Sequence, residues 1–259
     1  MPGPGWAARP DPAKAEEQTL PKYSVKLNKR EAVAEGTLSF YFDKPDGFVF
    51  KAGQFVELTL ANPPETDAEG NSRAFSLASA PSEPHLMVAT RMRDTAFKRG
   101  LRELPLGAEV QIEGPFGNLI LHNNTARAAV FLAGGIGITP FRSIVVRAAK
   151  ERLPHRLFLF YSNRRPEDAA FLRELQALRD VNANYTLVDT MTEMERGSDS
   201  QKGATGRISK EMLVQHLGEL NGPIYYLAGP PAMVGAMQQL LNSAGVNDDD
   251  IRPEEFAGY

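Results

Sequence analysis

A glycine turn after a short apolar run is the first feature of the sequence that could do chemistry. Residues 130–133, Val-Phe-Leu-Ala, predict a buried strand, and three glycines follow it, namely Gly134, Gly135 and Gly137. Thr139 suits the N-cap of the next helix and Pro140 its first position. Backbone N–H groups and the helix dipole at such a turn attract a phosphate. Because Pro140 replaces the last glycine of a full G-x-G-x-x-G, the turn alone equally fits a bend without a ligand.

Two further loops of the second half carry residue types that suit a dinucleotide. Apolar runs over 157–161, 185–188 and 224–228 alternate with helical stripes, some opening at Pro166 and Ser209, which predicts a parallel sheet with crossover helices. Ligands bind beyond the carboxyl ends of the strands in such a sheet. The candidate contacts in these two loops are Ser162, Arg164, Arg165, Gly229 and Pro230. The coincidence of three loops favours a dinucleotide site over a solvated surface.

The first half has the alternation of a small antiparallel barrel. Apolar residues recur at every second position over 23–27, 38–42 and 56–60, and further strands are predicted over 74–78, 86–92 and 109–113. Residues 95–104 give the only helical pattern before residue 123. Many short strands with one helix predict a barrel, followed by the α/β half described above.

Two groups of side chains in this barrel could bind an anion or an aromatic cofactor. In Arg73-Ala74-Phe75-Ser76, the arginine and the phenylalanine face one side of a strand and the serine the other. The second group consists of Arg91, Thr95 and Lys98 around a helix start, which could hold an anion. From spacing alone, ordinary roles as strand-edge charges, a core ring and a helix cap are favoured.

Composition narrows the class of protein. The chain has 259 residues, a net charge of −3 and no cysteine, which argues against nucleic-acid binding and excludes iron–sulfur or cysteine-ligated zinc centres within it. Its four histidines lie far apart, so no metal site is predicted. No apolar run is long enough to span a bilayer, and residues 1–19 predict a disordered tail rather than a signal peptide. We therefore expect a cytoplasmic protein with a tail (1–19), a barrel domain (20–122) and an α/β domain (123–259).

Taken together, these motifs resemble the ferredoxin–NADP reductase superfamily of flavoproteins. Arg73-Ala-Phe-Ser76 is similar to its Arg-x-Tyr-Ser/Thr flavin motif, and residues 134–140 are similar to its nicotinamide-nucleotide turn. Gly114-Pro-Phe-Gly117 resembles the turn that closes the flavin barrel, and Leu227-Ala-Gly-Pro-Pro231 resembles the Cys-Gly-x-Pro loop. The similarity extends over roughly residues 22–259, and the order of all four motifs fits.

The resemblance implies FAD in the barrel, NAD(P)H in the α/β domain and a reaction in the cleft between them. It implies that Arg73 binds the flavin diphosphate with help from Arg91, Thr95 and Lys98. Phe75 would lie against the isoalloxazine, Ser76 would hydrogen-bond at flavin N5, and Thr139 would lie near the nicotinamide. The end of the chain resembles members with a terminal aromatic residue beside the flavin, a place that either Phe256 or Tyr259 could take.

Three departures from the family pattern affect these roles. Phe75 replaces the usual tyrosine, which keeps the ring and removes a hydroxyl. Ala228 replaces a common cysteine beside the nicotinamide, which could slow hydride transfer. The helix start after Arg91 lacks the usual serine, whose phosphate contact Lys98 could make. Residues 189–193 also lack the Ser-Arg pair of the NADP-specific members, which favours NADH slightly over NADPH.

The function implied by the resemblance is hydride transfer from NAD(P)H to flavin N5, followed by electron transfer to a separate acceptor such as a ferredoxin or flavodoxin. Alternatives are an electron-transfer subunit of a larger oxidoreductase or oxygenase complex, a flavin reductase, or a nucleotide-binding module without redox activity. The acceptor is expected to be a small redox protein. A basic rim could steer it, or could equally be a solvated helix; its members are Arg91, Arg93, Lys98, Arg99 and Arg102.

Overall fold

A computed structural model describes residues 21–193 and 204–256 of the chain. The predicted tail over 1–19 and the candidate flavin contact Tyr259 lie outside the described residues. Within them, no helix combines the length and the apolar character needed to cross a bilayer, and no group of metal-ligating side chains is found.

The first half is a six-stranded antiparallel sheet with the order β4-β3-β6-β1-β2-β5. Its strands are β1 (Lys22–Ala34), β2 (Thr37–Asp43), β3 (Phe55–Leu60), β4 (Ser72–Ser76), β5 (His85–Arg91) and β6 (Glu109–Phe116), and helix α1 (Ala96–Glu103) follows β5. The alternating residues of these strands bury one shared core. Just beyond β4, the Ala78 N–H donates to the Met87 carbonyl on β5 at 2.7 Å, so the two edges of the sheet meet. This agrees with the predicted barrel.

The second half is a six-stranded parallel sheet with the order β10-β9-β8-β7-β11-β12. Its strands are β7 (Ala129–Gly134), β8 (Leu157–Asn163), β9 (Tyr185–Met191), β10 (Ala204–Thr205), β11 (Ile224–Gly229) and β12 (Ile251–Glu255), with helices α2 (Ile138–Glu151), α3 (Leu172–Val181), α4 (Lys210–Leu217) and α5 (Pro231–Ser243). The strand order changes direction between β7 and β11, because β8, β9 and β10 follow on one side of β7, and β11 and β12 lie on the other. Such a switch point opens a crevice at the carboxyl ends of its two strands.

Two predicted helix starts are wrong. A 3-10 turn over Gly135–Gly137 precedes α2, so the N-cap is Gly137 and Thr139 lies inside the first helical turn. Pro166 opens only a 3-10 turn, Pro166–Asp168, and α3 begins at Leu172. The chain turns inward between these two elements, because it buries Ala169, Ala170 and Phe171.

A hydrophobic core joins the two halves. Ala52, Ala78 and Met87 of the first half pack in one buried cluster with Ile138, Phe141 and Ile144 of the second. The domains therefore meet along α2, which begins at the glycine turn. Strand β12, which was not predicted, lies beside β11 and brings the last described residues to this junction.

Candidate functional site

The end of β4 and the end of β12 meet across the domain junction at Ser76 and Glu254. Ser76 is 4% exposed, and no described residue lies in ordinary hydrogen-bond geometry with its Oγ. The hydroxyl is nevertheless close enough to lower the pKa of Glu254, but burial acts in the opposite direction and more strongly. The net effect raises the pKa of Glu254 to about 7. The pair thus combines a buried hydroxyl, available to a ligand atom, with a carboxyl that can exchange a proton near neutral pH.

Arg73 and Phe75 lie beside the same ring, as their shared face on β4 predicts. The Phe75 ring centroid is 5.8 Å from that of Phe97, and the Arg73 guanidinium carbon is 5.2 Å from the same centroid. Arg73 also forms ion pairs with Asp67 (2.7 Å) and Glu69 (3.0 Å) of the preceding loop. An arginine held in this way presents a fixed cation beside Phe97, while the neighbouring Ala74 side chain is exposed.

A second cationic group surrounds the start of α1. Thr95 is the N-cap, and its hydroxyl accepts the Lys98 backbone N–H at 3.3 Å. Burial lowers the pKa of the Lys98 ammonium, and the charges of Arg93 and Arg73 lower it further. Three positive side chains therefore lie near a helix N-terminus, an arrangement suited to a diphosphate.

The glycine turn faces the crevice between β7 and β11. A Cβ on Gly137 would lie 2.2 Å from the Ala228 carbonyl oxygen, so this glycine is needed for the close packing of the two turns. Gly135 has φ +53° and open space where a Cβ would be. The turn therefore combines one glycine required for packing with one whose backbone is accessible to a ligand.

A pocket of about 430 Å³ opens in front of this turn. Residues predicted for nucleotide binding that line it are Gly134, Gly135, Ser162, Arg164 and Pro230. Arg93 and Arg207 add two more guanidinium groups. The Asn163 amide also lines the pocket and is 6% exposed. No described residue lies in ordinary hydrogen-bond geometry with it, although it is close enough to the Tyr161 hydroxyl to act on the pKa of that group. A positive pocket with an unsatisfied amide fits a phosphorylated polar ligand.

Arg91 lies in this pocket, where it pairs with Asp168 of the second domain at 3.5 Å. Its neighbours there are therefore nucleotide-pocket residues, although the resemblance implied a contact with the flavin diphosphate. Arg165 does not line the pocket, because its guanidinium bonds to Glu35 (3.0 Å) and to Asp168 (3.3 Å).

Thr139 and Pro140 are also absent from the pocket lining, since both are buried inside α2. The Thr139 hydroxyl donates to the Ile136 carbonyl at 3.1 Å, so it stabilises the turn itself. Gly229 lies directly behind the turn, and its carbonyl accepts the Phe256 N–H at 3.0 Å. That hydrogen bond holds Phe256 at the core shared by the two domains.

Sequence reasoning missed Glu254 and Arg207. Glu254 lies in the polar segment Arg-Pro-Glu-Glu, which gives no strand signal by itself. Arg207 comes just before the predicted cap Ser209, which does accept the Met212 N–H. The glycine before Arg207 and the cap after it are typical of a strand-to-helix loop. That signal could have added a fourth loop to the three that were predicted to bind a dinucleotide.

Comparisons with known proteins agree with this arrangement. Residues 131–239 match the oxidoreductase NAD-binding domain family. The glycine betaine monooxygenase reductase subunit of Chromohalobacter salexigens is 29% identical over 228 residues, which is 85% of this chain and 60% of that protein. The terephthalate 1,2-dioxygenase reductase component 2 of a Comamonas species is 25% identical over 210 residues, or 80% of this chain and 60% of that protein. The chain thus spans about three-fifths of the length of these relatives.

Solved structures show the same two-domain fold. A ferredoxin NADP⁺ reductase from Neisseria gonorrhoeae, with bound FAD and NADP, superposes with a TM-score of 0.74 at 22% identity and covers 90% of this chain and 98% of that one. The Amycolatopsis cytochrome P450 reductase GcoB gives a TM-score of 0.76 at 22% identity, covering 92% and 71%.

Fold and site together define a two-domain protein with a barrel followed by a domain that matches the oxidoreductase NAD-binding domain family. Its fold is the one that the Neisseria gonorrhoeae ferredoxin NADP⁺ reductase has, as the resemblance of its sequence motifs implied.

Proposed function

We propose that the protein is an NAD(P)H-dependent flavoprotein reductase that passes electrons to a separate acceptor. The observation that carries this proposal is the junction itself, where the buried Ser76 hydroxyl and the Glu254 carboxyl of the other domain meet. Three relatives, each named as the reductase component of an oxygenase, support it.

The barrel residues fit FAD. The Ser76 Oγ without a described partner can hydrogen-bond to a ring atom, and the half-buried Phe75 offers an aromatic surface. Arg73, Arg93 and Lys98 would hold the diphosphate. When bound, FAD would accept a hydride from C4 of NAD(P)H at its N5 atom and later release two electrons and the accompanying proton.

The nucleotide substrate fits the pocket at the switch point. Its phosphates would meet the accessible backbone at Gly135 and the guanidinium groups of Arg164 and Arg207. Phe256 and the glycine turn would then limit the approach of the nicotinamide to the flavin site, which makes orientation the main contribution of the protein to rate.

Glu254 would take up or release the proton that accompanies the electrons. Its pKa of about 7 lets the carboxyl take up or release a proton at neutral pH, and Ser76 lies beside it. The chain's own residues therefore supply orientation, exclusion of water and a proton site, while the cofactors supply the redox chemistry.

The acceptor is proposed to be a small redox protein, such as a ferredoxin or flavodoxin, or an oxygenase component. Part of the predicted basic rim is neutralised, since Arg91 pairs with Asp168 and Arg99 pairs with Glu65 and Asp94. Arg93 is assigned above to the flavin diphosphate, so Arg102, which carries no ion pair with a described residue, would contribute most to steering. The rate of electron transfer to several acceptors, measured at neutral pH and moderate salt with NADH and with NADPH, tests the activity and the nucleotide preference together.

Bound flavin is the first requirement of this proposal. Titration of the purified protein with FAD is expected to reach saturation at one FAD per chain and to quench the fluorescence of the flavin. A protein that takes up no FAD would contradict the proposal and would leave only the nucleotide-binding function.

A further inference from the structure

Arg142 on α2 is almost fully buried and joins the two domains. It is 5% exposed and lies five residues after the glycine turn, on the helix that the turn begins. Its Nη1 donates to the Ala78 carbonyl at 2.7 Å and to Glu83 at 2.9 Å, and its Nη2 donates to Glu83 at 3.1 Å. Ala78 and Glu83 both belong to the loop that follows β4.

The remaining donors of Arg142 bond within its own domain. Its Nε and Nη2 donate to the two oxygens of Glu174 on α3, at 2.8 and 2.6 Å. All five N–H groups of the guanidinium are therefore used. A planar fork with every donor satisfied holds its partners in one arrangement, which a lysine ammonium cannot reproduce.

The loop bound by Arg142 is the continuation of the strand that carries Ser76. Ser143, next to Arg142, donates to the Ser79 carbonyl at 2.6 Å, and the Ser79 hydroxyl accepts the Met87 N–H at 3.0 Å. Helix α2 thus hydrogen-bonds to the chain at Ala78 and Ser79, two and three residues beyond Ser76. The same helix begins at the glycine turn, which lies at the nucleotide pocket.

We infer that Arg142 is a positioning residue, which fixes the nucleotide-binding turn relative to Ser76 by tying α2 to residues 78–83. The inference rests on the proposed function for its kinetic consequence, but the tie itself is a property of the protein alone. A misplacement of about 1 Å between reacting groups can slow a reaction roughly a hundredfold without any loss of the groups themselves.

The kinetic test compares Arg142→Lys with Arg147→Lys in FAD-loaded protein. Arg147 lies on the same helix but pairs only with Glu151 at the surface, so it is the matched control. We expect Arg142→Lys to lower the limiting rate of flavin reduction by roughly tenfold to a hundredfold. The nucleotide concentration that gives half of this rate should change less than about twofold, because Arg142 does not line the pocket. An unchanged limiting rate in Arg142→Lys would overturn the inference.

The structural test needs no activity and no cofactor. Because the chain has no cysteine, spin labels can be placed at Val49→Cys and Val181→Cys, which replace side chains 80% and 70% exposed in the first and second domains. Pulsed electron resonance should give a broader distance distribution in Arg142→Lys than in the native chain or Arg147→Lys. Equal widths would overturn the inference. If the native protein is not reduced by NAD(P)H, the proposed function fails, whereas this distance measurement still decides the tie.

A second pair of variants keeps the test decisive if Arg142→Lys does not fold. Glu83→Gln weakens the contact of Arg142 with the first domain, and Glu174→Gln weakens only its contact within the second. The label distance distribution should broaden in Glu83→Gln and stay narrow in Glu174→Gln. Equal broadening in the two variants would show that Arg142 acts only on local stability and would overturn the inference.

Discussion

Glu254, from the last strand of the second domain, lies beside Ser76, from the fourth strand of the first. Burial raises the pKa of Glu254 to about 7, although the Ser76 hydroxyl acts to lower it. Neither domain contains this site alone, so its properties report directly on how the two domains meet.

Ser76→Ala is expected to keep flavin bound and to slow its reduction by NAD(P)H. Loss of one hydrogen bond to a reacting ring should raise the activation free energy by on the order of 1–3 kcal/mol, which slows the reaction roughly tenfold to a hundredfold. Ser72→Ala is the control on the same strand, because the Ser72 hydroxyl bonds to Thr59 and Glu57, away from the junction. Stopped-flow reduction of both variants at saturating nucleotide checks this, and equal rates would remove Ser76 from the reaction.

Glu254→Gln is expected to remove an inflection near pH 7 from the rate of acceptor reduction. The ionised carboxyl can take the proton that leaves with the electrons, so the native rate should rise with pH through about 7. Glu255→Gln, at the exposed neighbouring position on β12, should keep the inflection. Ser76→Ala should move it to higher pH, because the hydroxyl lowers the pKa of Glu254. A pH profile that Glu254→Gln leaves intact would contradict this role.

The same carboxyl makes stability depend on pH. Its folded-state pKa of about 7 lies above the ordinary value of 4.5, so the folded protein binds more protons between these two values. The contribution of Glu254 to the free energy of unfolding should therefore fall as pH rises from 4.5 to 7. At pH 8, Glu254→Gln should be more stable than the native protein by on the order of 2 kcal/mol. Denaturant melts at pH 5 and pH 8 measure the difference, and a gain at pH 5 alone would refute the assignment.

Gly137→Ala is expected to destabilise the protein strongly, because its Cβ would lie 2.2 Å from the Ala228 carbonyl oxygen and 2.6 Å from the Gly229 nitrogen. Separating the two turns should cost about 2 kcal/mol or more and weaken nucleotide binding. Gly235→Ala in α5 is the control, since nothing lies within 4 Å of the added methyl group. It should stabilise the protein by roughly 0.5–1 kcal/mol. Thermal melts that rank the two variants in the opposite order would contradict the packing argument.

Arg164→Ala and Arg207→Ala should each raise the KM for the nucleotide roughly tenfold with little change in kcat, since each removes a charged hydrogen-bond donor from the pocket. Arg165→Ala, adjacent in sequence but paired with Glu35 and Asp168, should change KM by less than about twofold. Steady-state kinetics of the three variants measure these changes. A larger rise in KM for Arg165→Ala than for the other two variants would contradict the proposed pocket.

Local sequence patterns predict the elements better than the contacts between them. Alternation on β4 places Arg73 and Phe75 on one face, and both do lie beside Phe97. Thr139 was misplaced because a 3-10 turn precedes α2, a distinction that spacing does not reveal. Glu254 and Arg142 could not be found this way. The first acquires its site from the pairing of β12 with β11, and the second from acids 59 and 32 residues away in the chain.

The central claim is that the two domains bring a nicotinamide and a flavin together. The most direct test is anaerobic mixing of the FAD-loaded native protein with excess NADH or NADPH, followed by the flavin absorbance in a single turnover. The account predicts full bleaching at a rate that saturates with nucleotide concentration. Flavin that stays oxidised with both nucleotides would contradict it.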